Sequence, residues 1–179
     1  MTSTIERPER AETTGGSAST LSTSPVPFDS LGVEPALVEV LASQGITTAF
    51  PIQAMTVADA LAGRDVCGKA KTGSGKTLAF GVPLLQRTMG NEATEPGRPR
   101  GLVLVPTREL AVQVHDVLEP LAEAIGLRLV AVYGGADIDR QVKKLRRGVD
   151  VIIATPGRLI DLGDRGELTV ADIETLVLD

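Results

Sequence analysis

The stretch AKTGSGKT, Ala70 to Thr77, decides how this chain is read. It joins an apolar segment, DVCGKA (65–70), to an amphipathic one, KTLAFGVPLLQRTM (76–89). A strand running into a helix through glycines is the setting that a phosphate-binding loop requires. Gly73 and Gly75 let the backbone turn so that successive N–H groups point inward around phosphate oxygens. Thr72 and Ser74 complete that turn, and the helix beginning near Lys76 adds the positive end of its dipole. Lys76 then reaches the β- and γ-phosphates as a mobile charge, and the Thr77 hydroxyl is placed to ligate Mg²⁺. The strict pattern opens on Gly, whereas Ala70 stands there in this chain.

Outward from the loop, short apolar segments alternate with helical ones. GLVLV (101–105), RLVAVY (128–133), DVIIA (150–154) and TLVLD (175–179) are continuous rather than alternating, as is DVCGKA. Strands covered on both faces of a parallel sheet have that pattern. Between them lie RELAVQVHDVLEPLAEAI (108–125), DIDRQVKKLRR (137–147) and GRLIDLGDR (157–165), all suited to crossover helices. Two further helices start at Pro35 and Pro51 and stop at Gly45 and Gly63. This predicts an α/β layer sandwich on a mostly parallel sheet, of the P-loop NTPase kind. The polar loop 91–100, NEATEPGRPR, is expected at the surface, and Cys67 inside the first strand. Residues 1–27, of which eleven are Ser or Thr, are expected to be a disordered tail, with the domain over 28–179.

Composition bounds the rest. The chain has 179 residues, with 18 Lys+Arg against 23 Asp+Glu and a net charge of −5. Six carboxylates against one arginine fall in residues 159–179, so the earlier residues balance. That charge excludes a protein gripping nucleic acid by bulk attraction, and an aromatic content of 2% excludes a broad base-stacking platform. No run approaches the roughly 18 apolar residues of a membrane span. One cysteine makes no internal disulfide, and no secretory or organellar leader is legible, so a cytoplasmic location is expected. Arg140, Lys143, Lys144, Arg146 and Arg147 read as a solvated helix face. His115 has no metal partner or nucleophile by motif and receives no role.

Asp179 supplies a second element of the phosphate site. Leu176, Val177 and Leu178 deliver it to the carboxyl end of a strand, where ligands sit in open α/β sheets. By itself it is a chain-end carboxylate; paired with the loop it is a Mg²⁺ holder.

The motifs now fall into a known order. Phe28, GITTAFPIQ (45–53), AKTGSGKT, PTRELA (106–111), Gly134–Gly135, TPGR (155–158) and LVLD (176–179) resemble the first RecA-like domain of DEAD-box RNA helicases, from Phe28 to the end. The resemblance implies ATP and Mg²⁺ as ligands, with Lys76 and Asp179 in the catalytic machinery. It places the adenine-reading glutamine at Gln53, whose amide matches adenine N6 and N7. It places an upstream aromatic at Phe28, suited to stacking on the base, though without the motif Phe28 reads as a core anchor. It implies an RNA path along Thr107, Arg108, Gly134, Gly135, Thr155 and Arg158, touching the sugar–phosphate backbone rather than reading sequence. For the two arginines a helix-end surface charge is the alternative.

The chain departs from the family's usual residues at Ile46, Ala49, Phe50 and Lys71, where an aromatic, Pro, Thr and Gln are commoner. It reaches only the first Asp of the DEAD motif. The resemblance therefore implies a fragment of an ATP-dependent RNA helicase, with the water-positioning Glu and a second RecA-like domain outside these residues and no turnover by the piece alone. A non-catalytic ATP- or RNA-binding module, or a nonfunctional remnant, is the alternative.

Overall fold

The structure, a computed structural model, describes residues 25–90 and 94–179. Most of the expected Ser/Thr-rich tail lies outside the described residues. Its last two members, Val26 and Pro27, do not behave as tail. They form a short strand, β1 (Val26–Pro27), antiparallel to β2 (Thr48–Ala49).

Three helices follow from the Pro and Gly punctuation: α1 (Pro35–Ser43), α2 (Pro51–Leu61) and α3 (Lys76–Thr88). The main sheet then builds by strict alternation. Its elements are β3 (Gly101–Leu104), α4 (Arg108–Ala124), β4 (Leu129–Val132), α5 (Ile138–Leu145), β5 (Val151–Ala154), α6 (Pro156–Asp164) and β6 (Thr175–Leu178). All four strands are parallel, in the spatial order β4-β5-β3-β6. This is an α/β sandwich on a parallel sheet.

The continuous apolar runs are explained by two cores, one on each face. Val103, Leu129, Val151 and Ile153 point to one side and pack with Leu37, Val57, Leu85, Val114 and Leu118 of α1–α4. Their alternates Leu102, Val130, Val132, Ile152 and Ala154 point the other way, onto Leu145 and Leu162 of α5 and α6. Each fully buried Leu, Ile or Val stabilises the fold by about 1.5–3 kcal/mol over exposure. A strand with both faces covered has no polar side to show, hence its unbroken pattern.

One expectation is corrected here. Segment 65–70 forms no strand and pairs with none of the described ones, and Cys67 is exposed rather than buried. A strand is defined by its neighbour's hydrogen bonds, and β6, the edge nearest in the sheet order, stands away from it across a cleft of about 540 Å³ lined by both. The loop 91–100 is at the surface through Glu95, Pro96 and Arg98, as expected. Over its described part it is tied down: Thr94 and Pro99 are buried, and the Thr94 hydroxyl donates to the Asp150 carboxylate. Asp150 also accepts from Arg128 N–H at 2.8 Å and, through its carbonyl, from Arg100 and Gly101. That buried carboxylate holds the amino-terminal edge of the sheet together, which leaves the carboxyl-terminal edge free for function.

Candidate functional site

The carboxyl ends of the four strands open onto one edge, and nearly every sequence-derived candidate lies along it. The phosphate loop is built as its glycines require. Gly73 has φ +79° and Gly75 φ +83°, a region closed to most L-residues, and Gly75 is the residue from which α3 starts. The Ser74 hydroxyl oxygen is buried and has no hydrogen-bond partner among the described residues. A buried polar atom is seldom left so, and its place in the loop fits an anionic ligand that would complete it. Thr72 and Thr77 flank it, the latter half-buried in the first turn of α3.

Across the loop mouth stands Asp179. Lys76 Nζ donates to Asp179 Oδ1 at 3.4 Å, joining positions 103 residues apart. The ammonium thus faces the carboxylate that follows β6. Register makes this possible: β6 pairs with β3 over Gly101–Thr175 to Leu104–Leu178, and Asp179 N–H donates to Leu104 O.

The base-reading candidates divide. Gln53 is fully buried in α2. Its Oε1 accepts from Phe50 N–H at 2.8 Å and its Nε2 donates to Gly75 O at 2.9 Å. The amide is therefore turned to the protein's own backbone, since a buried amide left unpaired is costly. It ties the start of α2 to the phosphate loop. A Cβ on Gly75 would fall 2.4 Å from Gln53 Nε2 and 2.7 Å from Phe50 Cδ2, so glycine is required by close approach as well as by φ. Phe28 is not brought to the loop as a stacking ring. It is 1% exposed, packed in the larger core, and offers no open face to a base. Its ring is better stabilised by apolar neighbours than by water, as its reading without the motif has it.

The second cluster follows β3, β4 and β5. Thr107 caps α4, its hydroxyl accepting from Leu110 N–H at 3.2 Å. Arg108 is exposed; its guanidinium lies 5.8 Å above the Tyr133 ring and 3.5 Å from where a Gly135 side chain would begin. Gly134 and Gly135 are open on the same side, and Thr155 begins α6 beside them, with its N–H bonded to Val132 O. Arg158 departs from both earlier readings. Its guanidinium is nearly buried and donates to Gln141 Oε1 at 2.9 Å and Ala136 O at 3.1 Å. Gln141 in turn donates to Tyr133 O at 3.1 Å. Arg158 and Gln141 thereby bracket the Gly134–Gly135 turn rather than project from it. No motif marks Gln141; only its position on the buried side of α5 does.

Of the basic cluster 140–147, Arg140 pairs with Asp137 at the start of α5, and Arg146, just past its end, pairs with Glu167. His115 lies 3.5 Å and 3.8 Å from the carboxylates of Asp116 and Glu119. No group of three or more His, Cys, Asp and Glu stands together among the described residues. None of the described helices is long and apolar enough to cross a membrane.

The family model described as DEAD/DEAH box helicase matches residues 50–179. The chain belongs to that family. Among curated relatives, it is 43% identical to "DEAD-box ATP-dependent RNA helicase 9" of Oryza sativa, over 97% of this chain and 28% of that protein. It is 44% identical to "ATP-dependent RNA helicase RhlB" of Sodalis glossinidius, over 85% of this chain and 37% of that one. Its fold superposes on the RNA helicase Prp28 of Chaetomium thermophilum, solved with ADP, with a TM-score of 0.79 and 35% identity. That match covers 87% of this chain and 38% of the solved one. The described fold is therefore a RecA-like helicase domain, and the chain spans 28–38% of the length of these relatives.

Proposed function

We propose that this DEAD-box chain binds ATP between the loop 70–77 and Asp179, and RNA backbone along Thr107, Arg108, Gly134, Gly135 and Thr155. In the whole protein it serves as the first of two RecA-like domains of an ATP-dependent RNA helicase that works in the cytoplasm. The observation that carries this reading is the Lys76–Asp179 pair at the mouth of the glycine loop, 3.4 Å apart. A cation and a carboxylate 103 residues apart in sequence are held there, beside a buried hydroxyl that lacks a partner among the described residues.

The chemistry follows from those groups. Loop N–H groups and Lys76 offset phosphate charge, so the ammonium exchanges Asp179 for phosphate oxygens when a nucleotide enters. Asp179 and the Thr77 hydroxyl are then free to hold Mg²⁺, which when bound neutralises charge on the β- and γ-phosphates. Gln53 links the adenine side to the loop: its amide has one further donor and one further acceptor position beyond those in use. Gly134 and Gly135 admit a ribose–phosphate backbone closely because no side chain intervenes, and Arg108 supplies the charge. Arg158 acts on RNA only through the turn it holds.

Removing the phosphate-facing charge tests the site. Lys76→Ala is expected to weaken ATP binding at least about tenfold, from the loss of charge-assisted hydrogen bonds. Equilibrium titration of the purified chain with Mg²⁺·ATP reads this directly. Affinity equal to that of the unaltered protein would refute the assignment.

A further inference from the structure

Phe50 is the only exposed aromatic side chain among the described residues, with 54% of its surface open. It stands just before α2, its N–H held by Gln53 Oε1, and its ring edge lies against Gly75, the last residue of the phosphate loop. Phe28 and Gln53, the two groups the resemblance assigns to the base, are both buried in this arrangement.

We propose that Phe50 is the stacking shelf for the base of the nucleotide whose phosphates occupy the loop. The inference rests on the ATP-binding reading and adds the residue that holds the base. The loop's backbone N–H groups and Lys76 grip phosphate alike in any nucleoside triphosphate and in bare polyphosphate. Holding the base has to come from the rim. A base joined to those phosphates through a ribose leaves the loop past that rim, and on the Gly75 side the rim is a half-exposed phenyl ring. An apolar ring kept in water beside a ligand loop gains burial when a planar base covers it. Stacking tolerates any base, so Phe50 sets affinity for a nucleotide over bare triphosphate, not the choice among bases. Thr, the commoner residue of the family here, has no ring to offer. The shelf is thus a property of this sequence.

The test compares Mg²⁺·ATP with inorganic tripolyphosphate, both titrated into the 179-residue chain. Phe50→Ala is expected to weaken ATP about tenfold and to leave tripolyphosphate within about twofold. Phe50→Leu, which keeps apolar bulk without a ring, is expected to follow Ala, and Phe50→Tyr to bind as the unaltered chain does. The position is exposed, so all three variants are expected to unfold at the same temperature as the parent. Equal weakening of both ligands would show that the ring shapes the loop and would overturn the shelf. So would unchanged ATP affinity in Phe50→Ala, or full affinity in Phe50→Leu. If the unaltered chain binds neither ligand, the ATP reading itself fails; if it binds both and Phe50→Ala changes nothing, only the shelf does.

Discussion

Arg108 and Arg158 look alike in sequence, each opening a helix after a short motif ending in Thr or Pro-Gly. The structure separates them by burial. Arg108 is exposed over Tyr133, whereas Arg158 spends its donors on Gln141 and the carbonyl of Ala136. Truncating Arg158 leaves two acceptors in a nearly closed site without a charged donor. Hydrogen bonds to charged groups are worth about 1.5–3 kcal/mol, and Arg158→Ala is expected to cost that order in urea unfolding. Arg108→Ala, at an exposed position, is expected to stay within about 0.5 kcal/mol while weakening RNA binding. Equal stability of the two variants would remove the clamp from this account. The distinction was not legible beforehand because it depends on where α5 places Gln141, a contact set by packing and by no motif.

At the scale of elements, the parallel sheet's strands and the helix that follows the loop were legible because continuous apolar runs and glycine spacing are local signals. The order β4-β5-β3-β6 was not, since it depends on pairing between distant segments. Segment 65–70 shows the limit. Its composition is strand-like, yet a ladder needs a partner, and none of the described strands lies within bonding reach of it. The pairing of β6 has the complementary consequence. One side of β6 is bonded to β3, and Leu176 and Leu178 remain 54% and 73% exposed. Exposed apolar edge strands are templates for association. Leu178→Lys is therefore expected to lower self-association of the purified chain, read as a smaller sedimentation coefficient at high concentration. A variant that associates as strongly as its parent would show that this edge is not the sticking surface. The same exposure explains why Cys67 was misplaced: with the cleft open between 65–68 and β6, its thiol faces solvent.

Over the whole molecule, the excess of carboxylates in residues 159–179 ceases to be a block once the chain folds. Asp172 receives two hydrogen bonds from Arg98, and Glu167 is paired with Arg146, each bond reaching across from a different part of the fold. Local composition could not show this, since the partners stand 74 and 21 residues away. The pairing has a pH signature. The hydrogen bonds from Arg146, with its charge, hold the Glu167 carboxyl below its ordinary value of 4.5. A carboxyl with a depressed value in the folded state stabilises that state above its unfolded value, and the contribution is lost as pH falls through the depressed one. Glu167→Gln keeps the shape and removes the charge. It is expected to lower the thermal midpoint at about pH 7, where Glu167 is ionised in both states, and the difference is expected to shrink and vanish as pH falls through the depressed value. Since the pair is open to water, added salt is expected to shrink the neutral-pH difference. A deficit that persists unchanged in acid would mean that the loss does not come from the Glu167 charge, since Gln and the protonated acid have nearly the same shape.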